Sequence, residues 1–202
     1  MVQAYTISPI LYPIADLDQC DTEGYTAAYT AAQQGHVNCL KLLADKRADL
    51  NKQADDGYAP IHIACKKGRV DCTVLLLGKV DVNSATSKGK TTAAILACRA
   101  GHLQVLKLLI EHQADLNRPD RDGSTPLHAA SMYGRVKTVS LLIQNHADIN
   151  ARNARGETPL FLARQHGHSR ATELLMEHEA EDAGDAVSDA ELEYSKVHLI
   201  HS

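Results

Sequence analysis

Aromatic residues are scarce in this chain of 202 residues, which has no Trp and one Phe, for an aromatic share of 4%. Base stacking, a common way to hold single-stranded nucleic acid, is poorly served by so few rings. The hydrophobic share still reaches 44%, so the chain can bury a sizeable core. That core must be built from Leu, Ile, Val and Ala, which suits thin, closely stacked helices better than a broad sheet.

Long apolar runs and targeting signals are also missing. No uninterrupted apolar run approaches the length of a membrane span, and the first residues lack a basic start followed by an apolar stretch. The five cysteines form no CxxC pair, and in a reducing compartment they behave as small apolar side chains. We therefore expect an intracellular protein, located in the cytoplasm or the nucleus, with no membrane contact.

Catalytic signatures are absent as well. The sequence contains no HExxH, GxxxxGK[ST], GxSxG or GxGxxG motif. We expect no enzymatic activity and no cofactor. The net charge of -4 is uneven: residues 177–202 hold eight acids and one base, a net -7, which leaves +3 for the rest. Because residues 1–176 carry so little net charge, they do not indicate nucleic-acid binding.

Internal repetition is the strongest positive signal, and three sets of residues recur in phase. One set is a glycine every 33 residues, each followed by Arg or His: Gly35-His36, Gly68-Arg69, Gly101-His102, Gly134-Arg135 and Gly167-His168. A second set is an Asn preceded by Asp and one aliphatic residue: Asn51, Asn83, Asn117 and Asn150. The third is Gly24, Gly57, Gly89, Gly123 and Gly156. The period predicts a stack of similar units.

One unit can be followed from the turn at residues 122–124. Thr125 offers a helix N-cap, and Pro126 suits the first helical position because its missing N–H is not needed there. Gly134 can end this short helix in a left-handed conformation. A second helix follows, with apolar residues at three- and four-residue spacing: Val136, Val139, Leu142 and Ile143. A helix pair this short is stable only when it stacks on its neighbours.

The tetrapeptide Thr125-Pro126-Leu127-His128 resembles the hallmark of the ankyrin repeat, a unit of the same 33-residue length. Partial copies occur at residues 26–29, 59–62, 92–95 and 158–161. The resemblance covers roughly residues 15 to 180. It implies an all-α solenoid of helix-turn-helix units with short β-hairpin fingers. It also implies that the protein is an interaction module, acting as an adaptor, scaffold or inhibitor.

This resemblance divides the chain into three parts. Residues 1–20 form a degenerate partial repeat or cap, in which Pro9 and Pro13 argue against a regular helix. Five repeats follow, at residues 21–53, 54–85, 86–119, 120–152 and 153–180. Residues 181–202 form an acidic tail that we expect to be flexible. The finger between repeats two and three is remodelled, with one residue lost near Gly78 and one gained near Lys90.

Histidines and cysteines fall at repeat positions, so we expect structural roles for them and no metal site. Matching residues of adjacent repeats lie one helix spacing apart, ~8–10 Å, too far to share an ion. His166 and His168 could approach each other, but no further ligand cluster is evident. The phase of Cys65 with Cys98, and of Cys39 with Cys72, favours core packing over reactivity.

The resemblance implies that a partner is held on a concave surface made by the hairpin tips and the first helices. The candidate partner-binding residues are Tyr25, Tyr58, Lys66, Lys67, Lys88, Lys90, Arg99, Arg121, Met132 and Tyr133. Tyr buries a large area at little entropic cost, and clustered cations favour an acidic or mixed segment of another protein. The alternatives are that the tyrosines merely pack on neighbouring fingers and that the cations form a plain solvated face. We expect the protein to be a monomer.

Three further possibilities stay open. The acidic tail either docks on the basic body or only solubilises the end of the stack. The chain is either an independent binding module or a structural or regulatory segment of a larger polypeptide with no partner of its own. The resemblance also implies Asn hydroxylation, which in this family needs a Leu eight residues earlier: Leu43/Asn51, Leu75/Asn83, Leu109/Asn117 and Leu142/Asn150. The alternative is that each Asn serves only its turn.

Overall fold

The computed structural model describes residues 16–178 and residue 180, and these residues carry ten α-helices in five contacting pairs. The pairs are α1 (Ala27–Gln34) with α2 (Val37–Asp45), α3 (Pro60–Lys67) with α4 (Val70–Leu77), α5 (Ala93–Ala100) with α6 (Leu103–Glu111), α7 (Pro126–Met132) with α8 (Val136–Gln144), and α9 (Pro159–Gln165) with α10 (Ser169–Met176). The expected cap up to Ala15 and the acidic tail from residue 181 lie outside the described residues.

Each first helix begins at a capped residue. In four repeats a Thr side-chain oxygen accepts a hydrogen bond from the backbone N–H three residues later: Thr26, Thr92, Thr125 and Thr158. In the second repeat Ala59 has no side-chain oxygen. There Pro60 occupies the first helical position, and Nδ1 of His62 accepts from the Ala59 N–H at 3.1 Å. The five first helices therefore start at the places that the sequence pattern predicts.

The helices pack as two rows. Each first helix contacts the first helix of the next repeat, and the second helices stack in the same order beside them. Small residues line the row of first helices, and leucines dominate the row of second helices. The fully buried side chains include Leu40, Ile61, Leu76, Ile95, Leu106 and Leu127. The expected all-α solenoid is confirmed. The fingers contain no extended strands in the described residues, only the isolated antiparallel bridges Cys20–Thr26 and Ala85–Thr92.

The ladder of Arg and His residues joins neighbouring repeats. Four of its five side chains reach back and donate a hydrogen bond to a carbonyl at the end of the preceding repeat's first helix: Arg69 to Gln33 (3.0 Å), His102 to Lys66 (3.2 Å), Arg135 to Arg99 (3.3 Å) and His168 to Met132 (2.9 Å). Each of these four side chains lies against the glycine that follows the preceding first helix: Gly35, Gly68, Gly101 or Gly134. A Cβ on Gly134 would lie 2.5 Å from Nδ1 of His168, so this position needs glycine for space and for its φ of 61°.

The middle of the stack departs from the regular unit at the two predicted places. The second residue after α2, α6 and α8 is left-handed: Arg47, Gln113 and His146. The turn after α4 has no such residue, because the second repeat is one residue shorter there. In the third finger Lys90 has the positive φ (51°) that glycine takes in the other four. The finger closes between Thr86 N–H and Thr91 O, one residue wider than its neighbours.

Candidate functional site

The finger tips form a hydrogen-bonded row along one side of the stack. Four backbone N–H groups each donate to a carbonyl of the preceding finger: Asp55 to Glu23 (3.2 Å), Ser87 to Gly57 (3.3 Å), Arg121 to Gly89 (2.9 Å) and Ala154 to Asp122 (2.9 Å). In the first, fourth and fifth fingers one side-chain oxygen accepts from the backbone N–H groups two and four residues later: that of Asp21, Asp120 or Asn153. Side chains on adjacent tips are therefore held in fixed order.

Tyr58 and Lys66 form the best-defined pair on this side. The Lys66 ammonium lies 4.4 Å from the centroid of the Tyr58 ring, within the range of a cation–π contact. Lys66 and Lys67 are exposed at the last turn of α3, whereas Tyr58 is half-buried. The next finger lies close, because the Lys88 Cγ would be 3.2 Å from a Cβ on Gly57. Two predicted residues thus touch, and Lys88 lies on the neighbouring finger.

Arg99 is not the free cation that the sequence suggests. Its guanidinium lies 4.0 Å from the Asp120 carboxylate, whose side chain is 8% exposed. Asp120 also accepts the backbone N–H groups of Asp122 and Ser124, so it is fixed in its finger. The ion pair offsets part of the positive charge expected here. Lys88, Lys90 and Arg121 are exposed and form no ion pair with a described residue.

Met132 and Tyr133 are among the few large apolar side chains that the described stack exposes, at 37% and 43%. They occupy the end of α7, at the positions where α3 has Lys66 and Lys67. The Met132 carbonyl accepts the ladder hydrogen bond from His168, which fixes the backbone here. An anchored backbone with exposed apolar side chains is typical of a binding hot spot.

Tyr25 is placed differently from Tyr58 and Tyr133. Its ring stacks on the buried ring of Tyr29, with centroids 4.5 Å apart, and is itself half-buried. The pKa of Tyr25 is raised, first by burial and then by surrounding carboxylates, those of Asp56, Glu23, Asp21 and Asp55. The alternative that a tyrosine packs on its neighbours therefore has direct support at Tyr25.

A contact that sequence reasoning missed links α1 to the second finger. The Tyr29 hydroxyl donates to Oδ2 of Asp56 at 2.7 Å, and burial followed by this hydrogen bond raises the Tyr29 pKa. Tyr29 stands at the fourth place of the tetrapeptide, where His62 and His128 stand in other repeats. The substitution of Tyr for His at this place is the signal that could have revealed the contact.

His62 and His128 join the start of one first helix to the next finger. Nδ1 of His128 accepts from the Thr125 N–H at 3.1 Å, and Nε2 donates to the Glu157 carbonyl at 3.0 Å. His62 makes the same pair of bonds to Ala59 and Ser84. Burial lowers the pKa of both histidines, so the neutral ring is the stable form. These contacts agree with the structural role expected for them.

The asparagine ladder has a structural role at two positions. Oδ1 of Asn83 accepts from the Asp115 N–H, and Oδ1 of Asn117 accepts from the Asp148 N–H, both at 2.8 Å. Asp18 fills this role towards Asp49 at the start of the stack. Each Asn is also held through its own N–H by the Asp two residues before it: Asn51, Asn83, Asn117 and Asn150. The bonds between repeats give Asn83 and Asn117 a structural role, whereas the bond through the backbone N–H does not itself require asparagine.

Four of the five cysteines can be compared with the core-packing expectation. Cys65, Cys72 and Cys98 are buried, and burial raises the pKa of each thiol. For Cys39 the expectation is wrong, because this residue is exposed. Cys39 lies on α2, which has a second helix of the described stack on one side only, whereas Cys72 lies on α4, which contacts both α2 and α6.

Two further findings concern the described residues alone. They hold no group of three or more His, Cys, Asp or Glu side chains that could bind a metal ion; the rings of His166 and His168 stack with centroids 6.4 Å apart. None of their helices is long and apolar enough to cross a membrane.

Sequence comparison agrees with this architecture. The family described as ankyrin repeats, in three copies, matches residues 3–86 and 75–153, and the chain belongs to the ankyrin-repeat family. Ankyrin repeats are in general protein–protein interaction modules. No curated protein matches the chain.

Proposed function

We propose that this chain is a protein-binding module that holds an acidic or mixed segment of another protein on one face. We call it the binding face, and it consists of Tyr25, Tyr58, Lys66, Lys67, Lys88, Lys90, Arg99, Arg121, Met132 and Tyr133. The observation that carries the proposal is that Lys66, Lys67, Met132 and Tyr133 are exposed at matching helix ends, where packing does not require them.

Charge and apolar contact would contribute differently on this face. Exposed ion pairs add only ~0.2–1 kcal/mol each, so the lysines would mainly speed the encounter and orient an acidic partner. Tyr133, with Met132 beside it, is the best placed hot spot, at ~2 kcal/mol or more if it becomes central in the interface. Tyr58 already carries Lys66 on one ring face, which pre-orders both side chains. Tyr25 contributes less, because much of its ring is packed on Tyr29.

Affinity capture followed by mass spectrometry tests this function. The full chain is used as bait beside a variant with Met132→Ala and Tyr133→Ser. We expect specific partners for the wild-type bait that the variant loses. A matched control is Val70→Ala with Val74→Ala, which removes exposed apolar groups from α4 on the second-helix row. Equal capture by all three baits would contradict the proposal and favour the rival function, a structural or regulatory segment of a larger polypeptide with no partner of its own.

We further infer that the module acts without catalysis, cofactor or metal, as an intracellular monomer in the cytoplasm or the nucleus. The family supports a non-enzymatic role, and the cysteine usage supports a reducing compartment. Analytical ultracentrifugation and imaging of the tagged protein would test the oligomeric state and the location. A concentration-dependent dimer or a secreted product would contradict these two inferences.

We also propose that the ladder asparagines are substrates of an asparaginyl hydroxylase. The support is the Leu eight residues before each one. Asn51 is the best candidate, because it is exposed and its side chain makes no hydrogen bond to a described residue of the next repeat. Asn83 and Asn117 would have to leave their inter-repeat bonds first. Peptide mass spectrometry from cells that contain the hydroxylase should find peptides one oxygen atom heavier, with Asn51 modified most. Unmodified peptides at all four sites would refute it.

A further inference from the structure

The row of finger tips changes the sign of its charge between the second finger and the third. The first two tips carry carboxylates and no cation, and we call these residues the acidic part: Asp21, Glu23, Asp55 and Asp56. The third tip carries lysines and no acid, and the fourth has Arg121 beside Asp122. With the end of α3 they form the basic part: Lys66, Lys67, Lys88, Lys90 and Arg121. Opposite charges therefore lie next to each other along one row.

The acidic part includes two carboxylates that the fold itself does not use. Asp21 accepts two backbone N–H groups of its own finger, and Asp56 accepts the Tyr29 hydroxyl. Glu23 and Asp55 are exposed, and their side chains form no hydrogen bond or ion pair with a described residue. Packing therefore does not require their charge.

A comparison of two repeats shows which charge the first finger favours. Tyr25 and Tyr58 occupy the same position of successive repeats, and the Lys66 ammonium lies 4.4 Å from the Tyr58 ring centroid. The residue that matches Lys66 in the first repeat is the neutral Gln33, and no cation of the described residues lies over Tyr25. Burial and then the four carboxylates of the acidic part raise the Tyr25 pKa. An aromatic ring beside carboxylates favours a cation.

We propose that the segment bound on this row is bipolar, with lysine or arginine side chains on the acidic part and aspartate or glutamate side chains on the basic part. The inference rests on the protein-binding function proposed above and adds the charge pattern of the partner. Its lysine or arginine would lie beside Tyr25, as Lys66 lies beside Tyr58. A wholly acidic segment that continued over the first two tips would meet like charges there.

The spacing of the repeats sets the spacing of the two charged groups in the partner. The centres of the acidic and basic parts lie about two repeats apart, or ~16–20 Å at a helix spacing of ~8–10 Å. An extended chain advances ~3.3 Å per residue, so about five or six residues separate the two groups. A segment of roughly 12 residues therefore reaches both parts.

Selection from a phage library of random 16-residue peptides tests the charge pattern on the full chain. The Met132→Ala with Tyr133→Ser variant serves as the reference target. We expect the enriched peptides to carry a Lys/Arg group and an Asp/Glu group about five or six residues apart. Enriched peptides with acids alone would overturn the inference and leave the proposed function standing. No enrichment over the reference target would contradict the proposed function itself.

Charge reversal of the acidic part gives a second readout with a matched control. Two peptides are used: an enriched bipolar peptide, and its copy in which every Lys and Arg is replaced by Glu. At low salt, Glu23→Lys with Asp55→Lys should bind the bipolar peptide about two- to thirtyfold more weakly than the control, Asp45→Lys with Glu111→Lys, which changes exposed acids on α2 and α6.

The all-acid copy makes the test independent of any loss of folding. It should bind more tightly to the variant with reversed tip charges than to the wild type, and a misfolded protein cannot produce such a gain. Equal affinities of the tip variant and the control for the bipolar peptide would overturn the inference. So would an all-acid copy that gains nothing from the reversal.

Discussion

His128 offers the sharpest test of how neighbouring repeats are held together. Its ring is 1% exposed and satisfies two backbone groups, the Thr125 N–H at 3.1 Å and the Glu157 carbonyl at 3.0 Å. His128→Ala removes both partners and leaves a cavity. The Glu157 carbonyl keeps a bond from the Asn153 N–H, so its lost bond to His128 costs ~0.5–1.5 kcal/mol, whereas the Thr125 N–H is left unsatisfied at ~1–3 kcal/mol. We therefore expect a loss of about 2–4 kcal/mol in the free energy of unfolding. At about 2–4 °C per kcal/mol, the melting temperature should fall by roughly 4–16 °C.

Urea and thermal unfolding followed by circular dichroism measure this effect. His112→Ala is the control, because His112 is exposed and makes one hydrogen bond within its own repeat, to the Leu108 carbonyl. The control should stay within about 0.5 kcal/mol of the wild type. If His128→Ala behaved like His112→Ala, the inter-repeat bonds would not carry the stability assigned to them here.

The remaining predictions concern packing, pH and reactivity. Gly134→Ala should destabilise the protein more than Gly167→Ala in urea titrations, because both sites have a positive φ but only Gly134 lies beneath His168; equal losses would show that conformation alone matters. The unfolded chain binds protons on its histidines below their pKa of about 6.5, whereas burial lowers the pKa of the two inter-repeat histidines in the fold. The free energy of unfolding should therefore fall as the pH drops below about 6.5, by at most ~1.4 kcal/mol per pH unit for each, and a pH-independent stability would contradict this. In a kinetic thiol assay Cys39 should react within the native state, whereas Cys65, buried with a pKa raised to about 12, should react only on opening; equal rates would refute the burial pattern.

The repeat architecture could be predicted from sequence because local signals recur in phase. Thr125 and Pro126 specify a helix start, and Gly134 specifies its end, without reference to distant residues. The stacking of short amphipathic pairs then follows from their need to bury an apolar face. Even the irregular third finger was marked by altered spacing, and the structure places its extra residue at Lys90.

The site was harder to predict, because it depends on which side chains meet across repeats. The ion pair of Arg99 with Asp120 joins residues on different elements, and no periodic pattern announces it. The stacking of Tyr25 on Tyr29 likewise removes a candidate from the exposed set. Cys39 does occupy the same repeat position as Cys72, but that position is buried only where a second helix packs on each side.

The central claim is that the basic part of the binding face recognises a protein partner. The most direct measurement is the affinity of a captured partner for the full chain and for Lys66→Glu with Lys67→Glu, at low and high salt. The control is Lys41→Glu with Lys107→Glu, which makes the same charge change at exposed positions on α2 and α6. The account predicts that the α3 variant binds more weakly than the control at low salt, with the difference fading as screening grows. Equal affinities for the two variants would contradict it.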